Sequence, residues 1–152
     1  MPQTLTPCLW VPDIEAAATY YGDVFRSKGA VTARFPDGRP LTGHVEILGT
    51  TFMILGDQTE FRPNESVSFM ISCKDQAEVD YYWNRFVGDG GEESMCGWCK
   101  DRFGFSWQVV PEKALFSTTQ GPDPAGRARA IAAMMKMRKL IVADLERAYA
   151  GK

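Results

Sequence analysis

The feature that most constrains this chain is an internal repeat. Asp13, Tyr20, Tyr21 and Phe25 recur at the same internal spacing as Lys74, Tyr81, Tyr82 and Phe86. Further along, Gly49-Thr50-Thr51-Phe52-Met53 parallels Gly104-Phe105-Ser106-Trp107-Gln108. Such self-similarity marks one supersecondary unit built twice. Each copy reads as a strand, a helix, then further strands. A single short sheet is marginal on its own. The expectation is therefore an α+β fold of two paired βαβββ modules with curved sheets, followed by a C-terminal helical extension.

The modules are expected over 1–56 and 66–111, with a linker at 57–65 and a tail at 112–152. In the first, Leu5–Val11 reads as a strand, and Asp13 caps a helix over Ile14–Phe25. A Gly/Pro-rich stretch with the turn signal Phe35-Pro36-Asp37-Gly38 follows. His44–Leu48 and Phe52–Leu55 then form a hairpin joined by Gly49-Thr50-Thr51. The segment Gly56–Glu65 is polar and carries Pro63.

The second module opens with the alternating strand Ser66–Ile71 and a helix from about Gln76 to Phe86, which Gly88-Asp89-Gly90-Gly91 ends. Two strands flank Asp101-Arg102-Phe103-Gly104. Residues 112–126 read as irregular. A helical region runs from about Gly126 to Ala150, with Ile131, Met134, Met135, Met137, Ile141 and Leu145 as an apolar stripe for packing.

Composition narrows the function classes. Seventeen Lys+Arg against nineteen Asp+Glu give a formal net charge of -2, which argues against a nucleic-acid partner needing a basic patch. No apolar run approaches the roughly 18 residues of a membrane span, so no membrane partner is expected. The N-terminal MPQTLTPCLWVPD lacks the pattern of a signal peptide, and the expected location is cytoplasmic. His44 is the one histidine in 152 residues. That count argues against most His-based catalysis, His-rich zinc sites and two-histidine facial triads above all, and leaves a Cys-His pair open.

Four cysteines, Cys8, Cys73, Cys96 and Cys99, include the C-x-x-C pair Cys96-Gly97-Trp98-Cys99. A zinc site would need a second close pair, which Cys8 and Cys73 do not form. A redox dithiol would sit at a helix N-terminus, whereas Lys100-Asp101-Arg102-Phe103-Gly104 reads as a turn into a strand. Two reduced thiols flanking a hairpin are expected, with no zinc.

The stretch CGWCKDRFGFSWQVVP (96–111) resembles the C-G-W-x-K-D-x-x-G-x-S-W-Q-x-V-P signature of PhnB-like proteins. SVSFMISCKDQAEVDYYWNRF (66–86) and GPDPAGRARAIAAMMKMRKLIVADLERA (121–148) resemble that family's second helix region and tail. The resemblance implies the vicinal oxygen chelate fold of the glyoxalase, bleomycin-resistance and dioxygenase superfamily. Members often carry a 3-demethylubiquinone-9 3-methyltransferase label, yet this sequence lacks the Gly-rich loop and Rossmann-like series of a common methyltransferase.

Metal-dependent members of the superfamily hold a divalent ion through His, Glu or Gln at four strand positions. The resemblance places these at Thr6, Met53, within Ser66–Ser68, and at Gln108. Only Gln108 offers a plausible donor, and a hard or borderline cation needs several oxygen or nitrogen ligands. No metal and no other cofactor are therefore expected.

Alternation puts His44 and Glu46 on one strand face, opposite Val45 and Ile47. An imidazole beside a carboxylate suits proton transfer, although a solvated strand face accounts for the pair equally simply. Trp10 alternates with Thr6 and Cys8 and faces either a ligand cavity or packed neighbours. Trp107 should pack under a helix. Trp98, near a strand end, is assigned to neither face. Tyr20, Tyr21, Tyr81, Tyr82 and Trp83 suit core packing.

The sequence thus points to a metal-free small-molecule-binding homodimer whose apolar-walled cavity is lined by Thr6, Trp10, His44, Met53, Ser68 and Gln108. The alternative is an enzyme of the superfamily (a lyase, dioxygenase or methyltransferase-labelled protein) using His44 with Glu46 or an atypical metal site.

Overall fold

A computed structural model describes residues 5–56 and 60–152. The chain divides into two units, Met1–Arg62 and Pro63–Lys152. Residues 57–59 of the expected linker lie outside the described residues.

The first unit runs β1 (Cys8–Trp10), α1 (Ile14–Phe25), β2 (Gly29–Arg34), β3 (Pro40–Ile47) and β4 (Thr50–Leu55). Its sheet has the order β1-β4-β3-β2, with β1 parallel to β4 and the other pairs antiparallel. The second unit repeats this plan with β5 (Ser68–Cys73), α2 (Gln76–Gly88), β6 (Glu92–Glu93), β7 (Trp98–Lys100) and β8 (Ser106–Pro111), in the order β5-β8-β7-β6. Both units are thus βαβββ modules. The tail adds α3 (Glu112–Thr119), α4 (Pro124–Met134) and α5 (Val142–Ala150) to the second unit.

The helices show where the repeat lies. Asp13 accepts a hydrogen bond from the Ala16 amide at 2.9 Å, and Asp75 accepts one from the Glu78 amide at 3.0 Å. Such an N-cap contributes about 1 kcal/mol. The counterpart of Asp13 is therefore Asp75, one residue beyond the expected Lys74. Counted from these caps, buried Ala17, Tyr21 and Val24 match buried Val79, Trp83 and Phe86. Tyr20 is buried as expected, whereas Tyr81 and Tyr82 are only half-buried.

Several local expectations need correction. β1 is shorter than Leu5–Val11, and β5 starts and ends two residues later than Ser66–Ile71. β2 fills part of the stretch read as Gly/Pro-rich, and β6 forms just beyond the Gly88–Gly91 break. The first hairpin turns at Leu48-Gly49, not Gly49-Thr50-Thr51, because Ile47 pairs with Thr50 and both turn residues have positive φ, 47° and 83°. This is the mirror-image turn that matches the twist of paired strands.

The tail also departs from expectation. Residues 112–119 are helical rather than irregular: Thr118 and Thr119 fold their hydroxyls back onto the carbonyls of Ala114 and Leu115, so polar residues that favour loops are satisfied within a helix. The expected long helix is broken at 135–141. There the carbonyls of Met137 and Arg138 accept from the Cys96 and Gly97 amides at 2.8 and 2.7 Å. Beyond the break, the Gln76 side chain accepts from the Val142 amide at 2.8 Å and so caps α5 from another helix. The apolar stripe splits accordingly, with Leu145 fully buried and Ile131 and Met135 exposed.

Candidate functional site

In each unit one sheet face packs on its helix and the other turns away. Leu9, Val45, Phe52 and Ile54 are buried beneath α1 in the first. Alternation sends Cys8, Trp10, His44, Glu46 and Met53 to the opposite face. Strand register sets them in rows: Cys8 pairs with Met53, which pairs with His44. The residue opposite Met53 is thus Cys8, whereas Thr6 lies outside β1 and is exposed. Trp10 is 46% exposed and lies 5.1 Å from the Phe61 ring, and Met53 is 39% exposed.

His44 is half-buried, and its Nδ1 is buried without a hydrogen-bond partner. Glu46, on the same face, is exposed. A buried imidazole nitrogen without a partner leaves one hydrogen-bonding group of the protein unmet.

In the second unit Met70, Gln108 and Trp98 form the corresponding row. Trp98 therefore shares the face of Gln108. The Gln108 amide donates to the Ser68 hydroxyl at 2.9 Å, and Met70 is 51% exposed. Ser68 and Gln108 lie on this face with Met70, a residue the sequence reading left out. The spacing between Asp13 and Asp75 relates Met70 to Cys8 and is the signal that points to it.

Within the signature 96–111, Asp101, Gly104 and Trp107 are architectural. Asp101 is buried at the mouth of the β7–β8 connection. Its carboxylate accepts from the Phe103 amide at 2.8 Å, the Phe105 amide at 3.2 Å and the Trp107 indole Nε1 at 2.8 Å. Gly104, at φ 86°, closes the turn by donating to the Asp101 carbonyl. Trp107 packs under α2 as expected, stacked on Phe86 with centroids 4.8 Å apart. These motif residues hold the loop and the core together rather than pointing at a substrate.

The C-x-x-C thiols also have separate surroundings. Cys99 is buried, and desolvation with the nearby Asp101 and Glu93 carboxylates pushes its pKa up to about 12. Cys73 is likewise pushed up to about 12 by burial, with Glu78 adding to it. Cys96 lies against Met135. All four cysteines are free thiols.

A divalent metal does not fit the four superfamily positions. Thr6 and Ser68 carry hydroxyls and Met53 a soft thioether, which leaves the Gln108 carbonyl oxygen as the one ordinary donor of the four. Among the described residues, no three His, Cys, Asp or Glu side chains converge. A pocket of about 250 Å³ lies at the start of α1, between Pro12, Asp13, Glu15, Arg39 and Gly56, and none of the six expected lining residues borders it.

Among the described residues, no helix is long and apolar enough to cross a membrane. No curated protein matches the sequence. Solved structures do. A PhnB protein of Bacillus cereus, which carries a 3-demethylubiquinone-9 3-methyltransferase label, is 21% identical and aligns over 70% of this chain and 97% of its own, with a TM-score of 0.62. Protein PA1353 of Pseudomonas aeruginosa is 15% identical over 70% and 95% of the two chains, with a TM-score of 0.58. A point mutant of the fosfomycin resistance protein FosX of Listeria monocytogenes, complexed with Mn(II) and 1S,2S-dihydroxypropylphosphonic acid, is 18% identical over 74% and 97%, with a TM-score of 0.52. At these identities the likeness establishes the fold. The family model described as 3-demethylubiquinone-9 3-methyltransferase matches residues 3–110. With the signature, the repeated βαβββ topology and these neighbours together, the chain belongs to that PhnB-like family of the vicinal oxygen chelate superfamily.

Proposed function

We propose that the protein binds a small organic molecule without a catalytic metal, as a cytoplasmic homodimer. One observation carries the reading. The sheet faces turned away from the helices present exposed Trp10, Met53 and Met70, and Met53 stands at a position where metal-dependent members need a hard donor. Apolar walls with a few polar groups are the usual make-up of a ligand site. Thr6, Trp10, His44 and Met53 of the first unit, and Ser68 and Gln108 of the second, are assigned to ligand contact. The four free thiols suit a reducing compartment. Exposed Ile131 and Met135 in the tail support pairing with a second copy.

A thermal-shift screen of small aromatic and aliphatic compounds tests the binding reading. A ligand bound only by the native state raises stability by about 2.7 kcal/mol at a hundredfold excess over its dissociation constant. Light scattering at micromolar concentration tests the dimer, and a mass near the 16.9 kDa of one chain would contradict it.

A second reading is an enzyme in which His44, with Glu46 beside it, moves a proton. The unpartnered Nδ1 favours it. Conversion of a screened ligand, lost in His44→Ala, would establish that reading.

A further inference from the structure

We propose that the open sheet face of the second unit takes small organic anions, with the oxyanion head on Lys100 and the Ser106 hydroxyl and the apolar body over Met70 and Trp98. This rests on the small-molecule binding proposed above and names the class of ligand.

Strand register builds the site. Ser68, Ser106 and Lys100 are successive partners across β5, β8 and β7, and Met70, Gln108 and Trp98 form the next row. Trp107 and Cys99 are buried on the helix side, so alternation turns Ser106, Gln108, Trp98 and Lys100 to the other. Ser106 is 2% exposed, and its Oγ is buried without a partner in the protein. Buried hydroxyls are ordinarily hydrogen-bonded, so an unmet one between a serine and a lysine calls for an acceptor. Ser68 accepts from the Gln108 amide at 2.9 Å and keeps its own proton to donate. Two hydroxyl donors and an ammonium group in one row suit an oxyanion. Exposed Met70 and half-buried Trp98 supply apolar surface beside it.

The chain already places a carboxylate there. Glu65 Oε1 lies 2.6 Å from Lys100 Nζ, and the hydrogen bond between them holds the Glu65 carboxyl below its ordinary range. Pro63 reaches the same end of the sheet, where its Cγ would stand 3.3 Å from a Cβ on Gly104. The Glu65 side chain is 64% exposed, and an ion pair so exposed is weak. A ligand oxyanion therefore displaces Glu65 from Lys100, and movement of the 63–65 segment opens the Ser106 hydroxyl to it. One carboxylate replaces another, so the charge facing Glu92, which pairs with Lys100 from β6, does not change. In the first unit the same row sets Glu46 opposite exposed Thr51. An acid stands there in place of Lys100, so the preference for anions belongs to the second unit.

The test compares two fluorescent dyes of one ring system, anionic anilinonaphthalene sulfonate and uncharged phenylnaphthylamine, by titration at low salt. Glu65→Gln removes the internal competitor and should tighten the anion about threefold or more, a gain that misfolding does not produce. Lys100→Met should weaken the anion about tenfold, the scale of a hydrogen bond to a charged group. Ser106→Ala should also weaken it, and it deletes an unmet group, so the fold is not at stake. The uncharged dye should bind all three variants like the parent. Lys113→Met, an exposed lysine of α3, controls for charge alone and should leave both dyes unchanged. Variants that leave the anion's affinity unmoved while both dyes bind would overturn the anion site and keep the small-molecule reading. An equal loss in Lys113→Met would also overturn the anion site, and binding of neither dye would overturn both readings.

Discussion

The two units share one topology but close it differently. In the first, β3 and β4 meet through the two-residue turn Leu48-Gly49, and little is buried there. In the second, the corresponding connection between β7 and β8 is the longer Asp101–Phe105 loop, organised by one buried carboxylate. The second unit also holds both buried thiols and all three tail helices. The first holds the histidine with the unpartnered nitrogen and an exposed tryptophan. Repetition of a supersecondary plan therefore does not divide features evenly: the second copy carries the buried carboxylate, the buried thiols and the tail, and the first carries the histidine and the exposed tryptophan.

The sharpest break is Asp101→Ala. It strands three donors in a buried loop, and unsatisfied buried groups cost about 1–3 kcal/mol each. A loss of about 3–5 kcal/mol is expected, read by site-resolved hydrogen exchange as lost protection in the second unit. Equal loss of protection in the first unit would mean that the two are not separately organised.

Alkaline pH should divide the units next. The folded pKa values of Cys73 and Cys99 are raised to about 12, so the unfolded state releases these protons first. Stability is fully present below the ordinary thiol pKa near 9 and falls as pH rises from there toward 12. The slope is about 1.4 kcal/mol per pH unit for each thiol. The described cysteine of the first unit, Cys8, is exposed. Urea titrations between neutral and alkaline pH, followed by exchange in each unit, should show the second failing first; parallel loss would contradict the assignment.

The smallest effect is a gain. Leu48 sits at φ 47° and is 59% exposed. Leu48→Asn gives that position a residue suited to the left-handed region and should stabilise the first unit by about 0.5–1 kcal/mol. A denaturation midpoint that falls would show that Leu48 makes contacts its exposure does not suggest.

Much of this division was legible in the chain. The Asp13 cap and the period of Ile14–Phe25 define α1 to the residue, and the repeat implies the second module. What escaped was long-range. Gln76 caps α5 from 66 positions away, and the break after Met134 depends on carbonyls taken by the Cys96 turn; neither partner is visible in a local window. The 96–111 motif could be read as a family mark, but nothing in its spacing said that Asp101 would be engaged by Trp107 and two amides. The candidate site was legible as faces, because alternation places His44 and Met53 together. It was not legible as rows, because the register that sets Cys8 opposite Met53 is a tertiary property.

The central claim is that ligand binding uses the exposed sheet faces, with Trp10 among the contacts, and no divalent metal. It is tested most directly by calorimetric titration of a compound selected by thermal shift, before and after exhaustive treatment with a divalent-metal chelator, on the parent and the Trp10→Ala protein. The affinity should be unchanged by chelation and weakened about tenfold or more by loss of the indole, the scale of a well-buried aromatic contact of about 1.4 kcal/mol or above. Affinity abolished by chelation and restored by manganese, zinc or iron, with Trp10→Ala binding like its parent, would contradict it.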